Sequence, residues 1–142
     1  MVGLQLAAIG PRDLPAWWPR LLPLVQKWIA RGDGEWAIPE VYDAITARDL
    51  QCWVALKEGE PTALALTELW NSRKRKYCQV VALAAKGDDE LDAWLTFHVD
   101  IEAWAKQNGC DRVRGDGRLG WERALKPFGY KRLYSVVIKE IR

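Results

Sequence analysis

Histidine is almost missing from this 142-residue chain; His98 stands alone. A multi-histidine metal centre is therefore excluded, and any histidine-based triad has only His98 to use. The three cysteines, Cys52, Cys78 and Cys110, are odd in number and widely spaced, and no Cys-x-x-Cys pair occurs. Neither a disulfide framework nor a zinc site is expected, and a reduced, cytoplasmic protein is the default reading. No uncharged run approaches the roughly 20 residues that a membrane span needs, so no membrane partner is expected. Within residues 1–10 no Lys or Arg precedes the apolar stretch, which is not the pattern of a secretory signal. Repeats, low-complexity tracts and linker-like stretches are lacking too. Residues 1–142 are thus read as a single domain of common size.

What the chain does have is tryptophan, nine in all. They are scattered along the sequence, and that scatter predicts core or surface anchors everywhere rather than one aromatic patch. With 49% hydrophobic and 28% charged residues the chain is of ordinary globular type. The net charge of +2 by itself implies neither a nucleic-acid nor a membrane partner. Its distribution is uneven. Residues 110–142 hold nine Lys and Arg against four acids, a net +5, and the rest of the chain carries −3. Solvated basic side chains explain this most simply, while an anionic partner for the last third is the sharper reading.

Residues 2–9 alternate weakly and predict a strand, closed by Gly10 and Pro11. Over residues 13–31, Trp18, Leu21, Leu22, Val25, Trp28 and Ile29 recur at helical spacing. Pro19 and Pro23 are expected to confine the regular helix to the residues after them. Pro39 suits the first turn of a second, shorter helix with Ile38, Val41, Tyr42 and Ile45 on its apolar side. From Gln51 the period becomes two. Strands are predicted around residues 52–57, at 62–70 and at 77–85, the last apolar enough to be central. Asp88 is positioned to cap a long helix over 89–108, and Asn108-Gly109 stops it. A short strand at 111–114, a loop with Gly115, Gly117 and Gly120, a short helix at 121–126 and a final strand at 130–141 complete the order. Hairpins followed by β-α-β units give an α/β (α+β) mixed sheet with helices on both faces.

Several side chains carry possible chemistry. Glu68 shares a strand face with Leu64, Leu66 and Trp70; a carboxylate there is suited to act as general base for an amine. Its plain alternative is a strand-end acid paired with Arg73 or Lys76. Arg118, in the glycine-rich loop, is suited to hold an anion with its fork of donors, or merely to pin the loop through Asp116 or Glu122. Trp121 offers a flat wall for a ring, or a packed helix start. The run Arg73-Lys74-Arg75-Lys76 is read as a solvated hairpin tip ahead of a phosphate grip. His98, mid-helix, is read as structural.

The order and lengths of these elements resemble the GNAT N-acyltransferase fold over nearly the whole chain. The stretch from Ile101 through Trp104 to Gly109-Cys110 looks like the end of that fold's central helix, and Lys126-Pro127-Phe128-Gly129-Tyr130 is similar to its Gly-aromatic step. Gly117-Arg118-Leu119-Gly120-Trp121 with Leu125 looks more specifically like a phage and prophage subfamily. The resemblance implies transfer of an acyl group from an acyl-CoA to the amine of a protein or nucleobase. The pyrophosphate would rest on Lys86, Gly87 and Asp88, where the central helix begins. The cleft would lie where the fourth and fifth strands part. It also implies a host-cytoplasmic or virion-associated protein, with a homodimer as one form. Two positions depart from the family pattern. The expected loop glycines are replaced by Asp88-Asp89-Glu90, which repel a pyrophosphate, and the position of the usual tyrosine acid holds Leu125, leaving Tyr130, Tyr134 or the Cys110 thiol as substitutes if the geometry differs. Acyl-CoA binding is accordingly expected to be weak or absent. The alternative is a non-catalytic protein of the same fold that serves in binding or phage assembly.

Overall fold

The computed structural model describes residues 4–32, 34–87, 89–116 and 120–141. One five-stranded sheet runs through it in the spatial order β1 (Gln5–Ile9), β2 (Gln51–Lys57), β3 (Glu60–Asn71), β4 (Lys76–Ala85) and β5 (Arg112–Gly115). The first three pairings are antiparallel. The fourth, β4 with β5, is parallel and is bridged by the long helix α3 (Glu90–Gln107). That crossover is the β-α-β unit expected from the sequence.

Strand alternation sorts the core into two halves. Cys52, Val54 and Leu56 on β2, with Leu64 and Leu66 on β3, face helices α1 (Leu14–Arg31) and α2 (Ile38–Thr46). Trp53, Ala55, Ala63 and Ala65 face α3, which contributes Trp94, Phe97 and Ile101. The short helix α4 (Trp121–Leu125) closes this second side through Leu125. Among the described residues no helix is long and apolar enough to cross a membrane.

Three expectations need correction. First, α1 is one helix that runs through both Pro19 and Pro23. The two rings lie four residues apart on the exposed face, so the carbonyls that lose their N–H partners meet water. The opposite face buries Leu14, Leu21, Leu24 and Val25, and that packing outweighs the proline penalty. Second, the cap of α3 is Asp89, whose carboxylate accepts from the Asp92 N–H at 2.9 Å; Asp88 lies outside the described residues. Third, residues 130–141 form no strand. Tyr130 is anchored, but every described residue after it is exposed, Val137 at 91%. The tryptophans pack on both sides of the sheet, and three of them, Trp28, Trp36 and Trp70, line one cleft.

Candidate active site

The parallel ladder ends at the pair Val80 and Gly115, while β4 runs on to Ala85. Beyond that pair the outer edge of β4 has no strand partner among the described residues. Gly115 sits so close that an added Cβ would lie 3.3 Å from the Val80 Cβ, so a side chain there would require Val80 to give by a few tenths of an ångström. On its other edge β4 is irregular. Leu66 pairs with Ala82 and Thr67 with Val80, so Val81 is the extra residue of a bulge.

Next to this junction lies a cleft of about 510 Å³, lined by residues from α1, the loop after it, β3, β4, β5, Asp116 just beyond β5, and Tyr134 and Val136 of the C-terminal segment. Trp28 and Trp36 form one wall with ring centroids 6.2 Å apart. Trp70 on β3 and Tyr77 on β4 are stacked at 6.2 Å and 14° along the sheet. Glu68, half-buried, accepts a hydrogen bond from the Trp70 indole N–H at 2.5 Å. Arg114 lies over the rings of Tyr77 and Tyr134, at 4.9 and 5.3 Å, and donates to the Tyr134 hydroxyl. Val81 reaches the same space. Of the residues singled out from the sequence, the structure therefore brings Glu68 and Tyr134 to the cleft. Trp28, Trp36, Tyr77 and Arg114 were missed there as site residues. Their separation along the chain left no local signal, and only the pairing of β3, β4 and β5 gathers them.

Tyr130 stands elsewhere. Its hydroxyl donates to Glu102 Oε2 at 2.5 Å, and the same oxygen lies 2.8 Å from His98 Nδ1. Burial, reinforced by the Glu102 carboxylate, pushes the Tyr130 phenol well above the usual range. The ring packs with Trp94 on the α3 side of the sheet, so it is not among the lining residues of the cleft. His98 is held by Glu102 and Phe128, as a structural histidine is. Trp121 also packs on the α3 side and supplies no cleft wall. Arg118 lies outside the described residues.

The start of α3 is closed by the chain's own groups. Asp89 occupies the Asp92 amide. Glu90 is buried and paired with Arg31 of α1. Before the helix, the Lys27 ammonium donates to the carbonyls of Ala85 and Lys86 at 2.6 and 3.2 Å. The Lys86 N–H donates to Thr62 O at 2.9 Å, and Gly87 is exposed with open space about it. Opposite, Leu125 is buried in the apolar core, so no acid of the usual kind stands on α4.

No family model matches the chain, and no curated protein matches it. Solved structures do. An aminoglycoside N-acetyltransferase in complex with CoA superposes with a TM-score of 0.72 at 10% identity, over 100% of this chain and 97% of that one. A GNAT family acetyltransferase from Staphylococcus aureus gives 0.71 at 14% identity, over 99% and 100%. An aminoglycoside acetyltransferase from an uncultured soil metagenomic sample, in complex with trehalose, gives 0.70 at 12% identity, over 97% of each chain. At such identities the likeness is one of architecture, and by it the chain has the mixed-sheet fold of the GNAT acetyltransferases.

Proposed function

We propose that this protein is an N-acyltransferase that acylates a primary amine bound in the cleft beside the β4–β5 junction. The observation that carries the reading is the coincidence of three features. The parallel pair ends at Val80 and Gly115, β4 bulges at Val81, and a half-buried carboxylate, Glu68, faces the same cleft. An ammonium must lose a proton before it can attack an acyl carbon. One Glu68 oxygen is engaged by Trp70, which fixes the carboxylate and leaves the other to take that proton. The bulge leaves a main-chain residue unpaired at the cleft wall.

The donor is the acyl-CoA that the fold implies, gripped in part. The free outer edge of β4 suits an extended, amide-bearing thioester arm. The first turn of α3 does not fit a pyrophosphate. A helix N-terminus attracts anions through its free amides and dipole, and here Asp89 takes the Asp92 amide while Glu90 and Asp92 add further carboxylates to the first turn. A further pair of negative charges beside these carboxylates is repelled. The phage-type likeness rests on the Gly117–Trp121 stretch of sequence. A non-catalytic binding or assembly role is favoured by the same closed turn and by the buried Leu125.

One experiment separates the two readings. Thiol release from acetyl-CoA is monitored in the presence of a panel of primary amines. The catalytic reading expects amine-dependent release that falls about 10²–10⁴-fold in Glu68→Gln, the usual range for a lost general base. No amine-dependent release, with or without Glu68, leaves the binding role. Calorimetry with CoA is expected to give a dissociation constant weaker than about 10 μM.

A further inference from the structure

Three carboxylates from three separate segments converge on the cleft: Glu35 from the loop before α2, Glu68 from β3 and Asp116 from the end of β5. Among the described lining residues they face one cation, Arg114. Its guanidinium is already directed onto the rings of Tyr77 and Tyr134. The same cleft is lined by two aromatic pairs, Trp28 with Trp36 and Trp70 with Tyr77. Aromatic faces carry negative quadrupole density and attract ammonium groups. Carboxylates attract the same groups over a longer range. An anionic ligand finds little here, and a neutral one leaves the acids unanswered.

We propose that the cleft is a polycation site: its ligand is a small linear di- or triamine, in which one amine reacts and the others are held by the acidic and aromatic walls. The role as acceptor rests on the acyl-transfer reading above; the binding itself does not. A volume of about 510 Å³ holds a small molecule. A flexible chain with several ammonium groups answers several of these carboxylates at once, whereas one lysine side chain brings a single charge.

The test uses the full chain without donor and monitors tryptophan fluorescence during titration with spermidine. The neutral probe 1,8-octanediol has similar reach. Spermidine is expected to give a saturable change that added salt weakens, and the diol none. The double variant Glu35→Gln with Asp116→Asn is expected to raise the spermidine dissociation constant at least tenfold. Both residues are exposed, so the fold is expected to survive, as circular dichroism would verify. Trp70→Leu, at a ring 49% exposed, is expected to weaken binding comparably.

The proposal is overturned by no saturation up to about 10 mM spermidine, far weaker than the millimolar affinities of poor ligands. It is equally overturned by diol binding of similar strength, by indifference to the double variant, or by tighter binding of a neutral-flanked peptide with one lysine. Spermidine that binds as expected, with no thiol release for it or for any other amine of the panel, sinks the acyl-transfer reading and leaves the binding inference standing. Acylation of a monoamine without spermidine saturation does the reverse.

Discussion

Glu102 shows how one side chain can tie separate parts of the molecule. Its carboxylate receives the Tyr130 hydroxyl and meets the His98 ring, pinning the start of the C-terminal segment to α3. The thiols illustrate the opposite case, groups isolated from any chemistry. Burial pushes Cys52 up to about 12, and burial together with Cys110 does the same for Cys78. A thiol that ionises near its ordinary value in the unfolded chain but near 12 in the fold lets the unfolded state release its proton first. The unfolded state then binds fewer protons, so stability is intact below about pH 9 and falls as pH rises from there towards 12. The slope is at most about 1.4 kcal/mol per thiol per pH unit. Urea titrations between pH 8 and 11 are expected to show this fall, reduced in Cys52→Ala relative to its own value at pH 8. In the native protein at pH 8, thiol reagents are expected to modify Cys110 well ahead of Cys52 and Cys78, because Cys110 is the one not buried.

At the scale of elements, α1 keeps its helix despite two interior prolines because one face packs and the other is wet. Restoring an N–H on the wet face therefore adds a hydrogen bond without disturbing the core. Pro23→Ala is expected to raise stability by about 2 kcal/mol, the interior penalty of about 3 kcal/mol less the roughly 0.4–1 kcal/mol that proline's rigidity takes from the unfolded chain. A urea midpoint measurement checks it, and a loss of stability would show that the turn at Pro23 is needed for packing. For α3 the cap and the anion question can be separated. Asp89→Asn keeps a side-chain oxygen for the Asp92 amide and removes one negative charge, so the thermal midpoint is expected to hold. CoA is expected to bind several-fold more tightly by calorimetry. Unchanged affinity would mean that the carboxylate is not what limits binding.

The whole molecule carries an apolar C-terminal segment outside its two core halves. Val136, Val137, Ile138 and Ile141 are 70–91% exposed. The segment's anchors lie before them, in Tyr130 on Glu102, Arg132 on Glu122 and Tyr134 on Arg114. Deleting residues 136–142 removes little buried surface and is expected to leave the thermal midpoint within about 2 °C, as changes at exposed positions do. Differential scanning calorimetry decides this, and a large drop would mean that the segment packs in solution.

Local pattern carried most of the architecture. Alternation placed β2, β3 and β4, helical spacing placed α2 and α3, and the order hairpin, hairpin, crossover dictated the parallel β4–β5 pair, because each of these depends on residues close together in the chain. The pairing of residues 130–141 was illegible for a related reason: a run rich in Val and Ile has strand propensity wherever it lies, but a strand exists only when a neighbour offers its edge. Glu68 could be singled out because its own strand supplied the apolar context, and the structure places it on the cleft. Its companions could not. Trp28, Trp36, Tyr77, Arg114 and Asp116 belong to separate stretches of chain, and Tyr130, adjacent to a suggestive Gly-aromatic step, was carried to the other face of the sheet. What the amino-acid sequence determined alone was which segments are helix or strand and which faces are apolar, since those depend on periodicity and short-range sterics. What only the tertiary structure decided was which distant side chains share one cleft, since a strand register and a single bulge at Val81 set on which side, and beside whom, each residue stands.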